Sequence, residues 1–227
     1  MTGRPAPAVL SPSLRPSLGP MAALAALVVV VLGVLYAGHD KPGRVDGWIR
    51  SVVQGVRPSW RNVALATDFW GEPAGAAMLV VAAVAGCLLL RRPRAAVLVV
   101  AGAGLTVGTT TLLKPLVGRT IHGDGNLAYP SGHTAFLTAL ALVAALVATE
   151  RFGLGRRVGT LLVLAAALVA GAAMGWAQIA LDAHYPTDVI GGWCTALAVV
   201  PATAWLVDRS AGEPADRTPD AGRRERR

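Results

Sequence analysis

The chain has 227 residues, of which 54% are hydrophobic and only 15% are charged. An average soluble domain has about 25% charged residues, so this composition argues against a soluble globular protein. The formal charge of +8 would suit a nucleic-acid-binding protein, but 14 of the 21 lysines and arginines fall in the two ends of the chain and in two short loops. Membrane proteins mark their cytoplasmic side in this way. We therefore expect an integral membrane protein with no nucleic-acid partner.

The first 72 residues are expected to contain one membrane-spanning helix and one surface helix. Residues 1–20 are rich in proline and serine and are predicted to form a disordered cytoplasmic tail. The apolar segment 21–38 is longer than the roughly 7–15 apolar residues of a signal peptide, which favours a retained helix over a cleaved signal. In the polar segment 39–72, apolar residues recur at helical spacing. This pattern predicts a short helix in the membrane interface, with Trp48 and Trp60 at headgroup depth.

Five further apolar segments are predicted to cross the membrane, because each has the length that spans a hydrocarbon core of about 30 Å. They are residues 74–90, 95–113, 130–149, 158–181 and 189–207. Residues 208–227 are predicted to form a polar, arginine-rich cytoplasmic tail. The predicted fold class is all-α, a polytopic bundle of six transmembrane helices over residues 21–207 with both termini in the cytoplasm.

The predicted topology brings five polar residues to the outer side of the membrane. Each lies near the outer end of an apolar segment; they are Lys114, Arg119, His133, His184 and Asp188. The topology follows from the arginine clusters and not from these residues, so their agreement is independent support for a shared site.

The stretch from Tyr129 to Thr134 combines a helix start with groups suited to an anion. Pro130 and Ser131 precede an apolar run, and proline suits the first turn of a helix while serine suits its cap. The free backbone N–H groups and the positive dipole end of a helix start form a ready anion site. Gly132 would let a ligand approach the backbone closely. The alternative is an ordinary capped helix with an interfacial histidine, His133.

His184 and Asp188 form a second candidate pair. Pro186 predicts that the last helix begins between them, so the carboxylate can reach the imidazole, fix its tautomer and stabilise its cationic form. A histidine oriented in this way is a plausible nucleophile towards phosphorus. The alternative is a capping aspartate beside an interfacial histidine.

Lys114 and Arg119 would supply cations to an anion bound between the two helix starts, since arginine suits bidentate phosphate recognition and lysine acts as a point charge. Alternatively, both side chains reach to the lipid headgroups. Zinc would accept His133, His184 and Asp188 as ligands. The neighbouring cations would repel a metal ion, so neither a metal nor another cofactor is predicted.

The order of Lys114, the PSGH motif at 130–133 and the HYPTD motif at 184–188 resembles the PAP2 (type 2 phosphatidic acid phosphatase) superfamily over about residues 60–207. The resemblance implies that His184 is the nucleophile of a phosphohistidine mechanism, that Asp188 orients it and that His133 protonates the leaving group. It also implies phosphate contacts from three further residues, which are Lys114, Ser131 and Gly132. It implies no metal.

Two positions depart from the family pattern. The Arg-Pro pair expected seven residues after Lys114 is replaced by Ile121 and His122, and the Ser-Arg pair expected ahead of His184 is replaced by Ala177 and Gln178. Arg119 is the candidate substitute for the first arginine. Gln178 is the candidate for the second, as a hydrogen-bond donor without a charge. Losing one such donor can cost about 10²–10³ in rate.

Two classes of function follow. The first is a membrane phosphatase that acts at the outer face of the cell membrane on a lipid phosphate or diphosphate, such as phosphatidate, phosphatidylglycerophosphate or a polyprenyl diphosphate. With an alcohol in place of water, the same chemistry is a phosphotransferase. The second is a weakly active or inactive relative that binds anionic lipid. A transporter is disfavoured, because the polar residues lie at helix ends and not at mid-membrane, where transport sites lie. The oligomeric state is not predicted.

Overall fold

The structure is a computed structural model, and it describes residues 7–54 and 58–210. Within those residues the secondary structure is helical, apart from one isolated antiparallel bridge between Thr120 and Leu127. The eight helices described are α1 (Arg15–Leu35), α2 (Arg44–Gln54), α3 (Pro58–Asp68), α4 (Pro73–Leu89), α5 (Pro93–Val117), α6 (Gly132–Arg151), α7 (Arg156–Ala180) and α8 (Pro186–Ser210).

Five of these helices, α1 and α5 to α8, are long and apolar enough to cross a membrane. Helix α4 has 17 residues and is shorter. It follows α3 after a bend of 60°, and the two together pass as a sixth span. The prediction of an all-α membrane bundle is confirmed, and its count of six spans holds when α3 and α4 are taken as one broken span.

Helix α8 packs against four other membrane helices, α1, α5, α6 and α7. Small residues permit this packing. A side chain at Gly171 on α7 would collide with the ring of Trp193 on α8, whose Nε1 donates a hydrogen bond to the carbonyl of Ala167 at 2.8 Å. In a bilayer, helices associate through such close contacts and hydrogen bonds, because lipid tails compete for apolar surface.

The amino-terminal segment differs from its prediction. Helix α1 begins at Arg15, and the residues described before it are packed against the bundle instead of forming a tail: Val9 and Leu10 are buried, and their backbone N–H groups each donate to the Asp208 carboxylate at 2.9 Å. Composition predicted disorder because it does not reveal a partner 199 residues away. Helix α8 also continues to Ser210, beyond the predicted end at 207. The remainder of both predicted tails, residues 1–6 and 211–227, lies outside the described residues.

The predicted surface helix is present as α2. Its outer face exposes Val45, Trp48 and Val52, while Asp46 on the opposite face is completely buried. Helix α3 was not predicted, because its mixed polar sequence has neither the length nor the hydropathy of a span.

Candidate active site

One end of the bundle brings together the last turn of α5, the starts of α6 and α8, and the loop that joins α7 to α8. Lys114 lies in that turn of α5, His133 in the first turn of α6 and His184 in the loop. Every residue predicted for the site is therefore at the same end of the bundle.

Ser131 caps α6 and joins it to α8. Its hydroxyl accepts the backbone N–H of Thr134 at 3.4 Å, as expected for an N-cap, and its own N–H donates to the carbonyl of Asp188 at 2.9 Å. Gly192 makes this approach possible, because a Cβ there would lie 2.2 Å from the carbonyl oxygen of Ser131. The PSGH segment is thus held directly on the first turns of α8.

His184 and Asp188 lie side by side in a buried setting. The imidazole Nδ1 is 3.7 Å from the carboxylate Oδ2, longer than a hydrogen bond, and the same Oδ2 accepts the backbone N–H of Tyr185 at 2.9 Å. Burial lowers the pKa of His184, and the negative charge of Asp188 partly opposes this shift. The lowered pKa keeps the imidazole neutral at neutral pH, which is the form a nucleophile needs.

Arg119 has partners other than those predicted. Its side chain is completely buried, and its terminal nitrogens donate to Asp188 Oδ1 and Asp46 Oδ2, each at 2.6 Å. The guanidinium also lies between the rings of Tyr36 and Tyr185, at 4.1 and 4.4 Å from their centroids. Both terminal nitrogens are therefore occupied by carboxylates, and the predicted contact with phosphate stays a prediction that this geometry does not favour.

A cavity of about 740 Å³ opens beside the site. Its polar end is lined by Lys114, Gly132 and His133, and the rest mainly by apolar residues of α4, α5 and α6, together with Thr110 and Thr111. The Lys114 ammonium donates to the carbonyl of Leu127 at 2.9 Å. A cavity with one polar end and mainly apolar walls suits a lipid phosphate, which has a charged headgroup and apolar chains.

Sequence reasoning missed a pair of carboxylates next to His133. Gln178 is buried, and its amide donates to Asp68 Oδ1 at 2.5 Å. His133 Nε2 lies 3.7 Å from the same Asp68 oxygen and 3.5 Å from Oε1 of Glu72. The signal available in the sequence was a pair of carboxylates on either side of Gly71, just before an apolar segment. The structure shows how closely this segment packs on His133, because a Cβ at Gly71 would collide with the His133 ring.

These residues also bear on metal binding. Ligand atoms of Asp68, Glu72 and His133 all lie within 4.8 Å of one another, a spacing that a divalent cation could bridge. This set shares only His133 with the zinc ligands considered from sequence. The other two of those, His184 and Asp188, belong instead to the pair described above.

The first departure from the family pattern also has a structural account. Ile121 is buried against Ala128 and Tyr185, so this position contributes apolar packing. His122 is half-exposed, and its Nε2 lies 2.7 Å from the carbonyl oxygen of Asp182 at the surface. Neither position brings a cation to the cavity.

The helices and the arrangement of these motifs define a membrane protein of PAP2 type. The chain belongs to the PAP2 superfamily, whose family model matches residues 17–211. Its fold is similar to the crystal structure of a transmembrane PAP2-type phosphatidylglycerolphosphate phosphatase from Bacillus subtilis, with a TM-score of 0.65 and 18% sequence identity. The likeness covers 84% of this chain and 96% of that one. No curated protein matches this sequence.

Proposed function

We propose that the protein is a phosphatase that hydrolyses a lipid phosphate or diphosphate through a phosphohistidine intermediate. The observation that carries the proposal is the buried His184, whose pKa is lowered by burial and whose ring faces Asp188. It lies at the same end of the bundle as Lys114 and His133, which line the polar end of the cavity. The similar fold of a phosphatidylglycerolphosphate phosphatase supports it.

The chemistry has two steps. Because Nδ1 of His184 faces Asp188, the other ring nitrogen, Nε2, attacks phosphorus, and the bond from phosphorus to the leaving oxygen breaks. His133 gives a proton to that oxygen. Water then attacks the phosphohistidine, His133 accepts a proton from it, and inorganic phosphate leaves with His184 restored.

The phosphate is held mainly by Lys114 and by the start of α6, where the N–H groups near Ser131 and Gly132 and the positive helix end favour an anion. Gln178 is a further candidate donor, although Asp68 occupies its amide in this structure. With Arg119 paired to two carboxylates, Lys114 is the cation among the described residues that line the cavity. We therefore expect slower turnover than in relatives that retain both arginines. No step uses a metal.

We propose that the site faces away from the cytoplasm in the cell membrane and that both termini are cytoplasmic. The arginines of the loops at 91–94 and 151–157 lie at the opposite end of the bundle, and the positive-inside rule assigns that end to the cytoplasm. A reporter fused after Arg94 is expected to read cytoplasmic, and one inserted at Gly125 to read external. The reverse result would reject this orientation.

A second function is favoured by the absence of the two family arginines, whose positions are occupied by Ile121 and Gln178. A relative that binds anionic lipid without cleaving it would tolerate the loss of the two family arginines. Phosphate release separates the two functions. Purified protein in detergent is given phosphatidate, phosphatidylglycerophosphate and polyprenyl diphosphates, beside the variants His184→Ala and His122→Ala. Hydrolysis requires that His184→Ala abolish release while His122→Ala, the surface control, stays within about two-fold of wild type. Equal, slow release by wild type and His184→Ala on every substrate would reject the enzyme.

A further inference from the structure

A buried aspartate on the surface helix α2 reaches the candidate active site through Arg119. Asp46 has no exposed surface, although α2 lies at the edge of the bundle and exposes its other face. Buried carboxylates are costly unless they are paired and hydrogen-bonded. Asp46 meets this condition, since Oδ2 accepts from Arg119 and from the Thr187 hydroxyl at 2.6 and 2.9 Å, and Oδ1 accepts the Thr187 N–H at 2.9 Å.

Arg119 links this carboxylate to Asp188. One terminal nitrogen bonds Asp46 and the other bonds Asp188 Oδ1, both at 2.6 Å. Asp188 then has each oxygen assigned: Oδ1 faces Arg119, and Oδ2 accepts from Tyr185 and faces His184. The guanidinium is flat and rigid, so its orientation sets the rotation of both carboxylates.

We propose that Asp46 is a positioning residue of the active site, which holds Arg119 so that Asp188 presents Oδ2 to His184. The inference rests on the proposed function. Without the charge of Asp46, both terminal nitrogens of Arg119 are free to turn towards Asp188 and compete with His184 for its carboxylate. Helix α2 is then part of the catalytic apparatus as well as a surface element.

The chain offers a matched control. Helix α2 is held to the loop between α7 and α8 by a second ion pair, Arg50 with Asp182, on the same inner face as Asp46. Loss of this pair weakens the attachment of α2, to which Gln54 also contributes through Asp182, and it removes no hydrogen bond between Arg119 and Asp188. Arg50→Gln therefore separates the anchoring of α2 from the positioning of Asp188.

The test measures kcat and KM for phosphate release by wild type, Asp46→Asn, Arg119→Gln, the double variant and Arg50→Gln, with folding checked by thermal unfolding in detergent. We expect Asp46→Asn to lower kcat by about 10–100-fold, with KM within two-fold, because a misplacement of about 1 Å in a catalytic site can cost about 10² in rate. Arg50→Gln should keep kcat within two-fold. Because Asp46 acts through Arg119, the double variant should be no slower than Arg119→Gln alone.

The inference is overturned if folded Asp46→Asn keeps the wild-type kcat, if Arg50→Gln lowers kcat as much, or if the two losses multiply in the double variant. If Asp46→Asn does not fold, the kcat of Thr187→Val is measured instead. That variant removes only a hydroxyl shared by Asp46 and Arg119; a lowered kcat at constant KM supports the inference and an unchanged kcat overturns it. A wild-type protein inactive on every lipid phosphate overturns the proposed function and this inference with it. An active wild type that depends on His184 but not on Asp46 overturns the inference alone.

Discussion

Gly192 gives the sharpest test of how the site is assembled. In Gly192→Ala the new Cβ would start 2.2 Å from the carbonyl oxygen of Ser131, whereas ordinary contacts begin near 3.4 Å. The first turns of α6 and α8 must then separate by about 1.2 Å. The hydrogen bond from the Ser131 N–H to the Asp188 carbonyl, now 2.9 Å long, breaks at that separation.

The structural and catalytic costs can both be bounded. Overpacking costs about 1–3 kcal/mol and the lost hydrogen bond about 1 kcal/mol, so the free energy of unfolding should fall by roughly 2–4 kcal/mol. A shift of about 1 Å between catalytic groups can cost about 10² in rate. We expect thermal unfolding in detergent to show the destabilisation, and phosphate release to show a kcat about 10²-fold lower.

The control is Gly108→Ala, also a helical glycine in a membrane span but with no atom within 4 Å of the new Cβ. Alanine is favoured over glycine in a helix interior by about 1 kcal/mol, so this variant should be as stable as wild type or more so and equally active. If Gly192→Ala matched Gly108→Ala in stability and kcat, the close packing of Ser131 on α8 would not be what assembles the site.

Three further predictions follow from the site. Because burial lowers the pKa of His184, the acid limb of kcat/KM should lie below pH 6.5, the ordinary histidine value. Asp188 opposes that shift, so Asp188→Asn should move the residual limb to still lower pH. A limb that moves upward would contradict this assignment. Gly71→Ala should lower kcat, because its methyl group displaces the His133 ring, while thermal stability changes little; an unchanged kcat would remove His133 from the mechanism. Extraction with EDTA should leave phosphate release unchanged, and a loss restored by a divalent ion would instead assign a required cation to the group formed by His133 and its neighbouring carboxylates.

The membrane helices were predictable because each is a local apolar run, and most of these runs are followed within a few residues by proline, glycine or arginine. The pairing of His184 with Asp188 was predictable for the same reason, since four residues and one proline determine it. The partners of Arg119 were not, because Asp46 lies 73 residues away and Asp188 lies 69 residues away. From the sequence alone, an arginine buried between two carboxylates cannot be distinguished from an arginine that binds phosphate.

The acidic groups near His133 were missed for a related reason. Asp68 and Glu72 stand in a polar segment that also carries basic residues, so their charges looked like those of a solvated loop. Only the bend between α3 and α4 brings them to His133 and Gln178, the latter 110 residues further along the chain. The amino-terminal segment was also misjudged from its composition. Its prolines and serines predicted disorder, but the backbone N–H groups of Val9 and Leu10 bond to the distant Asp208.

The packing of α1 has a consequence for synthesis. Among the helices described, α1 is made first and its main partner, α8, is made last, with about 150 residues between the end of one and the start of the other. At roughly 5–20 residues per second, α1 waits in the bilayer for about 8–30 s before that partner exists. The hydrogen bond from the Tyr129 hydroxyl to the Val29 carbonyl can form earlier. It attaches α1 to the segment that precedes α6 before α8 is made. Closure of the bundle by α8 is therefore the step at which His184, Asp188 and the PSGH segment first meet.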